Sequence, residues 1–197
     1  VDYGEKMRKP RSEMIAETRA KLLSAGRKAF GSIGYAEASM DDFTAEAGLT
    51  RGALYHHFGD KKGLLLAVVA EIDAEMTKRP CEISSKAATR WDGFIDENVG
   101  YVRMALEPEI QRIMFRDGPA VLGDPSRWPN ANGCISAVAR RLDVLKQAGT
   151  ITDIDPEACA RFIHPASSTA AQGLPNSAHP EPASQRAAAS FRTFPPR

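Results

Sequence analysis

At 197 residues, 43% of them hydrophobic and 26% charged, the chain can bury one good core, or a small module joined to a larger one. No apolar run approaches the ~20 residues of a membrane span, no signal-like opening is present, and the three cysteines form no CxxC pair; the expectation is a cytoplasmic protein that meets no membrane and uses no metal or cofactor. The net charge of +1 is unevenly spread: from Lys6 to Lys28 eight basic residues face two acidic ones, whereas from Glu71 to Asp117 ten acidic residues outnumber seven basic, so one end suits nucleic acid and the middle does not.

In chain order, Ile15, Leu22, Leu23, Phe30 and Ile33 fall on one face of a helix from Ser12 to Ser32, which Gly34 ends. Ser39, three residues before Asp42, starts a short helix from Met40 to Ala47, and Gly48 stops it. Leu49 is the buried link, and Thr50 caps a third helix, Arg51 to Phe58, that Gly59 ends. Asp60 caps a fourth, whose Leu64, Leu65, Val68, Val69, Ile72 and Met76 run to about Arg79, with Pro80 as its boundary. Beyond it come a helix carrying Trp91, Phe94, Ile95, Val99, Val102 and Leu106, and another from Pro108 through Phe115. Residues 118–133, rich in Gly and Pro, predict a loop or a broken helix. Cys134 to Ala148 is amphipathic and ends at Gly149. A last helix starts at Asp155–Pro156, with Cys159, Phe162 and Ile163 as its apolar residues, until Pro165 interrupts it. No strand pattern or repeat is visible, so the fold class is all-α.

Two short helices joined through Gly48 and Leu49, with Phe43, Ala47, Leu54 and Phe58 between them, make a helix-turn-helix by spacing alone. If Leu54 and Phe58 face inward, a 100° step puts Gly52 and His56 outward, with Ala53 beside them and Arg51 and Tyr55 along one flank. Arg51 can fork onto O6 and N7 of a guanine, while Gly52 and Ala53 permit close approach of the backbone. Tyr55, His56 and Lys61, with Ser39 as a further candidate, are suited to phosphates. The bland alternatives stand beside these: Arg51 as a solvated charge, Tyr55 and its histidines as a surface cluster, and His57 as a satisfied, partly buried side chain with no ligand set around it.

The run SMDDFTAEAGLTRGALYHHFGDKKGLL, residues 39–65, resembles the signature of TetR-type, tetracycline-repressor-like regulators. It has the glycine turn, the Tyr-x-His-Phe ending of the recognition helix, and a lysine three residues after the phenylalanine. The resemblance implies an all-helical homodimer with an N-terminal three-helix DNA-binding head, joined by a fourth helix to a helical ligand-binding and dimerisation body. It further implies that Arg51, Gly52 and Ala53 face bases, while Ser39, Tyr55, His56 and Lys61 hold the DNA backbone. Thr50 joins that backbone set, as does His57, which stands at the motif's histidine. The partners it implies are double-stranded DNA carrying a palindromic operator and a small-molecule effector.

The layout expected is a basic arm at 1–11, the DNA-binding domain at 12–60, the connecting helix at 61–80, the regulatory body at 81–164, and a Pro/Ala-rich tail at 165–197, weakly ordered or in short helices. In the body Trp91, Phe94, Tyr101, Met104, Phe115 and Trp128 are the candidates for an effector pocket, although an aromatic stripe at helical spacing also serves as plain core. Of the family's two dimerising helices, only Cys134 to Ala148 has a sound pattern. The function expected is a sequence-specific regulator, a repressor released by a small molecule. Two other classes stay open: an architectural protein that coats DNA without sequence preference, and an enzyme with a DNA-binding head. For the enzyme the sequence offers no GxSxG, no phosphate-cradling glycine loop and no metal-spaced His and Cys, so the expectation is no catalysis.

Overall fold

The structure, a computed structural model, describes residues 10–173 and Ala189. Every regular element among them is helical, and a boundary between two compact units falls between Val68 and Val69. No helix among the described residues is long and apolar enough to cross a membrane.

The first unit holds α1 (Arg11–Ser32), α2 (Met40–Ala47), α3 (Arg51–Phe58) and the start of α4 (Lys61–Ser84). Leu22, Phe30, Phe43, Leu54, Leu64, Leu65 and Val68 are wholly withdrawn from water, each contributing ~1.5 to 3 kcal/mol of transfer free energy before ordering costs. Phe30 meets Phe43 edge-on at 5.2 Å, a geometry that suits the ring quadrupoles. α1 and α4 come close at Gly26, where a Cβ would stand 2.7 Å from Leu64 Cδ2. The ends of α1 differ from expectation. Ile15 and Ile33 are 44% and 51% exposed, Ile33 standing just past the helix as its C-cap residue. Leu49, expected as buried, is half-buried, and so are Ala47 and Phe58.

The second unit contains the rest of α4, then α5 (Arg90–Met104), α6 (Pro108–Ile110), a π-helical segment (Gln111–Asp117), α7 (Gly118–Leu122), a 3-10 turn (Pro125–Arg127), α8 (Ala131–Gln147) and α9 (Pro156–Gly173). Residues 118–133 are thus a broken helix. Phe94, Ile95 and Val99 of α5, Leu142 and Leu145 of α8, and Ala160 of α9 form one core, against which Trp91, Val138, Ile154 and Ile163 pack. Thr89 caps α5 by accepting from Asp92 N at 3.0 Å, and Asp155 caps α9 by accepting from Glu157 N at 2.9 Å.

Two prolines were expected to stop helices, and neither does. Pro80 lies inside α4, which continues to Ser84. It is buried, and its ring carbon Cβ would lie 3.3 Å from a Cβ at Gly100; the bare glycine gives the ring its seat on α5. Arg79 also ties this turn down, bridging Glu75 at 3.1 Å and Glu107 at 2.7 Å. Pro165 lies inside α9, which runs on to Gly173. There the ring is exposed, while Ala160, Ser167 and Ala171 bury the opposite face and the Ala171 carbonyl accepts from Gln111 Nε2 at 3.1 Å. In both cases packing outweighs the lost hydrogen bond. Residues 165–173 of the expected tail are therefore helix, and residues 174–197, apart from Ala189, lie outside the described residues. Phe162, one of the apolar residues expected in this helix, points out at 76% exposure.

Candidate nucleic-acid interface and ligand cavity

Local chemistry fixes the α2–α3 pair. Ser39 Oγ accepts from Asp42 N at 3.1 Å and Thr50 Oγ1 from Ala53 N at 3.3 Å, satisfying amide donors that each helix start leaves open. Between the helices Gly48 adopts φ 64°, in the left-handed region, which costs other residues roughly 1 to 2 kcal/mol. The turn lets Phe43 and Leu54 bury together and leaves the other face of α3 outward.

On that face Arg51, Gly52, Tyr55 and His56 are exposed and Ala53 is half-buried. Nothing stands near a Cβ at Gly52 except Thr50 Oγ1 at 3.7 Å, so the first turn presents a low surface. The Arg51 guanidinium is held 3.3 Å from Asp41, both side chains being well exposed; water screens such a pair to ~0 to 1 kcal/mol, and a stronger acceptor can take the guanidinium over. Thr50 and Ser39 use their oxygens as caps, yet each hydroxyl keeps a proton to donate.

Lys61, at the first turn of α4, donates from Nζ to the Ala36 carbonyl at 3.3 Å and sits 4.3 Å from the Tyr35 ring centroid. An ammonium has three donors, so this anchoring holds the charge in place while leaving capacity for a phosphate. His57 is half-buried, and burial, then the charges of His56 and Arg19, push its pKa down; it offers a neutral N–H at pH 7, not a cation. Two partners escaped the sequence reading: Tyr35, which supports Lys61, and Arg19, whose guanidinium lies 5.2 Å from the Phe58 ring centroid. Tyr35 is non-local to Lys61 and carried no signal. Arg19 was visible only as one of the basic residues of α1.

In the body a cavity of about 310 Å³ is lined by Tyr101, Phe115 and Trp128 together with Asp73, Cys134 and His164. A smaller one of about 90 Å³ is lined by Phe94 and Tyr101, and shares Cys134 and His164 with the first. Trp91 packs on the core, its ring 5.9 Å from Phe94, and Met104 is buried; neither lines these two cavities. The polar members were missed. Cys134 Sγ donates to Asp73 Oδ1 at 3.4 Å, and the His164 ring meets Tyr101 edge-on at 5.9 Å. Burial raises the pKa of Asp73 and lowers that of His164. It also carries Tyr101 to about 12 and Cys134 to about 11. A signal existed: Asp73 follows Val69 by four residues and precedes Met76 by three, a carboxylate on the apolar stripe of α4.

Comparison with known proteins bears on both units. Residues 22–68 match the family model "Bacterial regulatory proteins, tetR family", and residues 91–194 match "Tetracyclin repressor-like, C-terminal domain". The crystal structure of a TetR-family transcriptional regulator from Pectobacterium atrosepticum is 44% identical, with a TM-score of 0.83 over 96% of this chain and 100% of that one. The HTH-type transcriptional repressor AcnR of Corynebacterium glutamicum is 31% identical over 100 residues, 51% of this chain and 52% of that protein. The HTH-type transcriptional regulator TtgR of Pseudomonas putida is 40% identical over 57 residues, 29% of this chain and 27% of that protein. The chain thus spans about half the length, or less, of these two curated relatives.

Proposed function

The chain belongs to the tetR family of bacterial regulatory proteins, and from that premise we propose that it is a repressor that grips a palindromic operator as a homodimer and lets go when a small molecule fills the body cavity. The observation that carries the proposal is the outward face of α3. Thr50 caps a helix whose inner face Leu54 anchors, and the exposed residues begin with Arg51 and Gly52. In this reading Arg51 reads a base edge and Gly52 and Ala53 admit the helix to the major groove. Ser39, Thr50, Tyr55, His56, His57 and Lys61 fix the register on phosphates.

Release follows from α4, which begins at Lys61 beside the phosphate-binding set and supplies Val69, Ala70 and Asp73 to the larger cavity. A ligand that binds one conformer better shifts the population toward it. A conformer that takes the two α3 helices of the dimer away from the ~34 Å repeat of the half-sites loses DNA. For the dimer, α9 offers an outward stripe of Ala158, Phe162, Ala166 and Thr169, and α8 offers Val144.

The test is selection of bound genomic fragments by the purified protein, followed by footprinting. A palindromic footprint supports the reading. Binding with a steep salt dependence and no footprint would replace it with the architectural one.

A further inference from the structure

We propose that the larger cavity takes an organic cation, a small protonated amine whose ammonium donates to Asp73 while its apolar or aromatic body lies among Tyr101, Phe115 and Trp128. The proposal rests on reading this cavity as the effector site and adds the ligand's chemical class.

Charge is the first ground. The titratable groups lining the cavity are Asp73, Tyr101, Cys134, Arg161 and His164. Arg161 is exposed and already paired with Glu157 at 2.8 Å. Tyr101 and Cys134 stay protonated at neutral pH, their pKa values raised to about 12 and about 11, and burial holds His164 toward its neutral form. Asp73 is the carboxylate of this set: its hydrogen bonds come from the neutral thiol of Cys134 and the neutral amide of Asn130. The charged group acting on it among the described residues is His164, which burial holds toward its neutral form. Burial also raises the pKa of Asp73 itself, so a cation placed beside it would favour its ionised form. A half-buried carboxylate so placed favours an ion that brings both a positive charge and N–H donors.

Shape and lining are the second ground. Three aromatic rings, Tyr101, Phe115 and Trp128, line the same cavity as the carboxylate, and ring faces attract a cation electrostatically, more strongly where water is displaced. A volume of about 310 Å³ lies at the small end of ligand sites, which suits one or two rings. A metal ion is a poor occupant, since a lone carboxylate beside aromatic walls supplies too few oxygens, and among the described residues no group of three or more His, Cys, Asp or Glu could hold one.

The experiment is calorimetric titration of the full chain, without DNA, with two matched series: phenethylamine, 2-phenylethanol and phenylacetate, then tryptamine, tryptophol and indole-3-acetate. In at least one series the amine should bind ~10-fold or more tightly than the alcohol of the same body, and the acid weakest. Asp73→Asn, which keeps an acceptor for Cys134, should erase that preference while leaving the alcohol within ~3-fold. If the variant fails to fold, the wild-type series decides alone. An alcohol or acid that equals or exceeds its amine in both series overturns the proposal, and so does absence of binding by both amines. Adding bound operator fragments separates the two readings: an amine that binds with this preference yet leaves DNA bound upholds the cation site and overturns release, whereas release by a neutral ligand alone does the reverse.

Discussion

Arg51 and Lys61 are both cations near the exposed face of α3, and in the proposed reading their surroundings suit them to different contacts. The Arg51 guanidinium is exposed and only loosely held by Asp41, free to meet a base edge, so Arg51→Ala should cost about 1 to 3 kcal/mol on the selected palindrome and little on random duplex. Equal losses on both, measured by fluorescence anisotropy, would move it to the phosphate set. Lys61 is anchored on the Ala36 carbonyl and the Tyr35 ring, a fixed charge, so Lys61→Ala should weaken all duplexes alike and flatten the salt slope by roughly one unit per lost contact; an unchanged slope removes it from the interface. Gly48 isolates a backbone effect, since nothing lies within 4 Å of where its Cβ would be. Gly48→Ala should therefore cost about 1 kcal/mol by urea denaturation, and Gly48→Asn less, because Asn tolerates the left-handed region. The caps at Ser39, Thr50 and Asp60 were legible in the sequence because their partners lie three residues away. Asp73 and Cys134 are 61 positions apart, and no local pattern could join them.

At the scale of elements, the caps and glycines marked helix starts and stops well wherever the deciding interaction was local. The prolines misled for the same reason. A proline's cost is written into the backbone at its own position, whereas what offsets it comes from distant residues: Gly100 under Pro80, and Gln111 beside the end of α9. The two sites should respond differently to substitution. Pro165 is exposed, so Pro165→Ala restores a donor to the helix and removes little packing; the urea midpoint should rise by the equivalent of about 1 to 3 kcal/mol with unchanged m. Pro80 is buried against α5, so Pro80→Ala should gain less or lose stability as the ring's contacts vanish. A midpoint that falls for Pro165→Ala would mean that its ring contributes packing its exposure does not suggest.

For the whole molecule, the proposed reading of a palindrome requires two copies of α3 held at a fixed separation, which would make DNA recognition depend on the dimer. The sequence pointed to α8 as the dependable half of that interface, because residues 164–197 carry six prolines and few large apolar residues; past Pro165, the first of them, α9 instead runs on to Gly173, and it turns its largest apolar side chain, Phe162, into solvent. A phenylalanine at 76% exposure in an 18-residue helix is costly to leave in water and cheap to bury against a copy of itself. In a two-fold interface the same change is felt twice, and burying each ring is worth ~1.5 to 3 kcal/mol. Phe162→Glu should accordingly raise the dimer Kd by about 100-fold or more, ~3 kcal/mol, in sedimentation equilibrium. Both compact units should still fold, with an unchanged helical circular dichroism signal, since the side chain makes no contribution to the core. Footprints by the variant should vanish at concentrations below the new Kd and return above it, because mass action restores the pair. A variant that sediments like the wild type would place the dimer interface elsewhere than this face of α9.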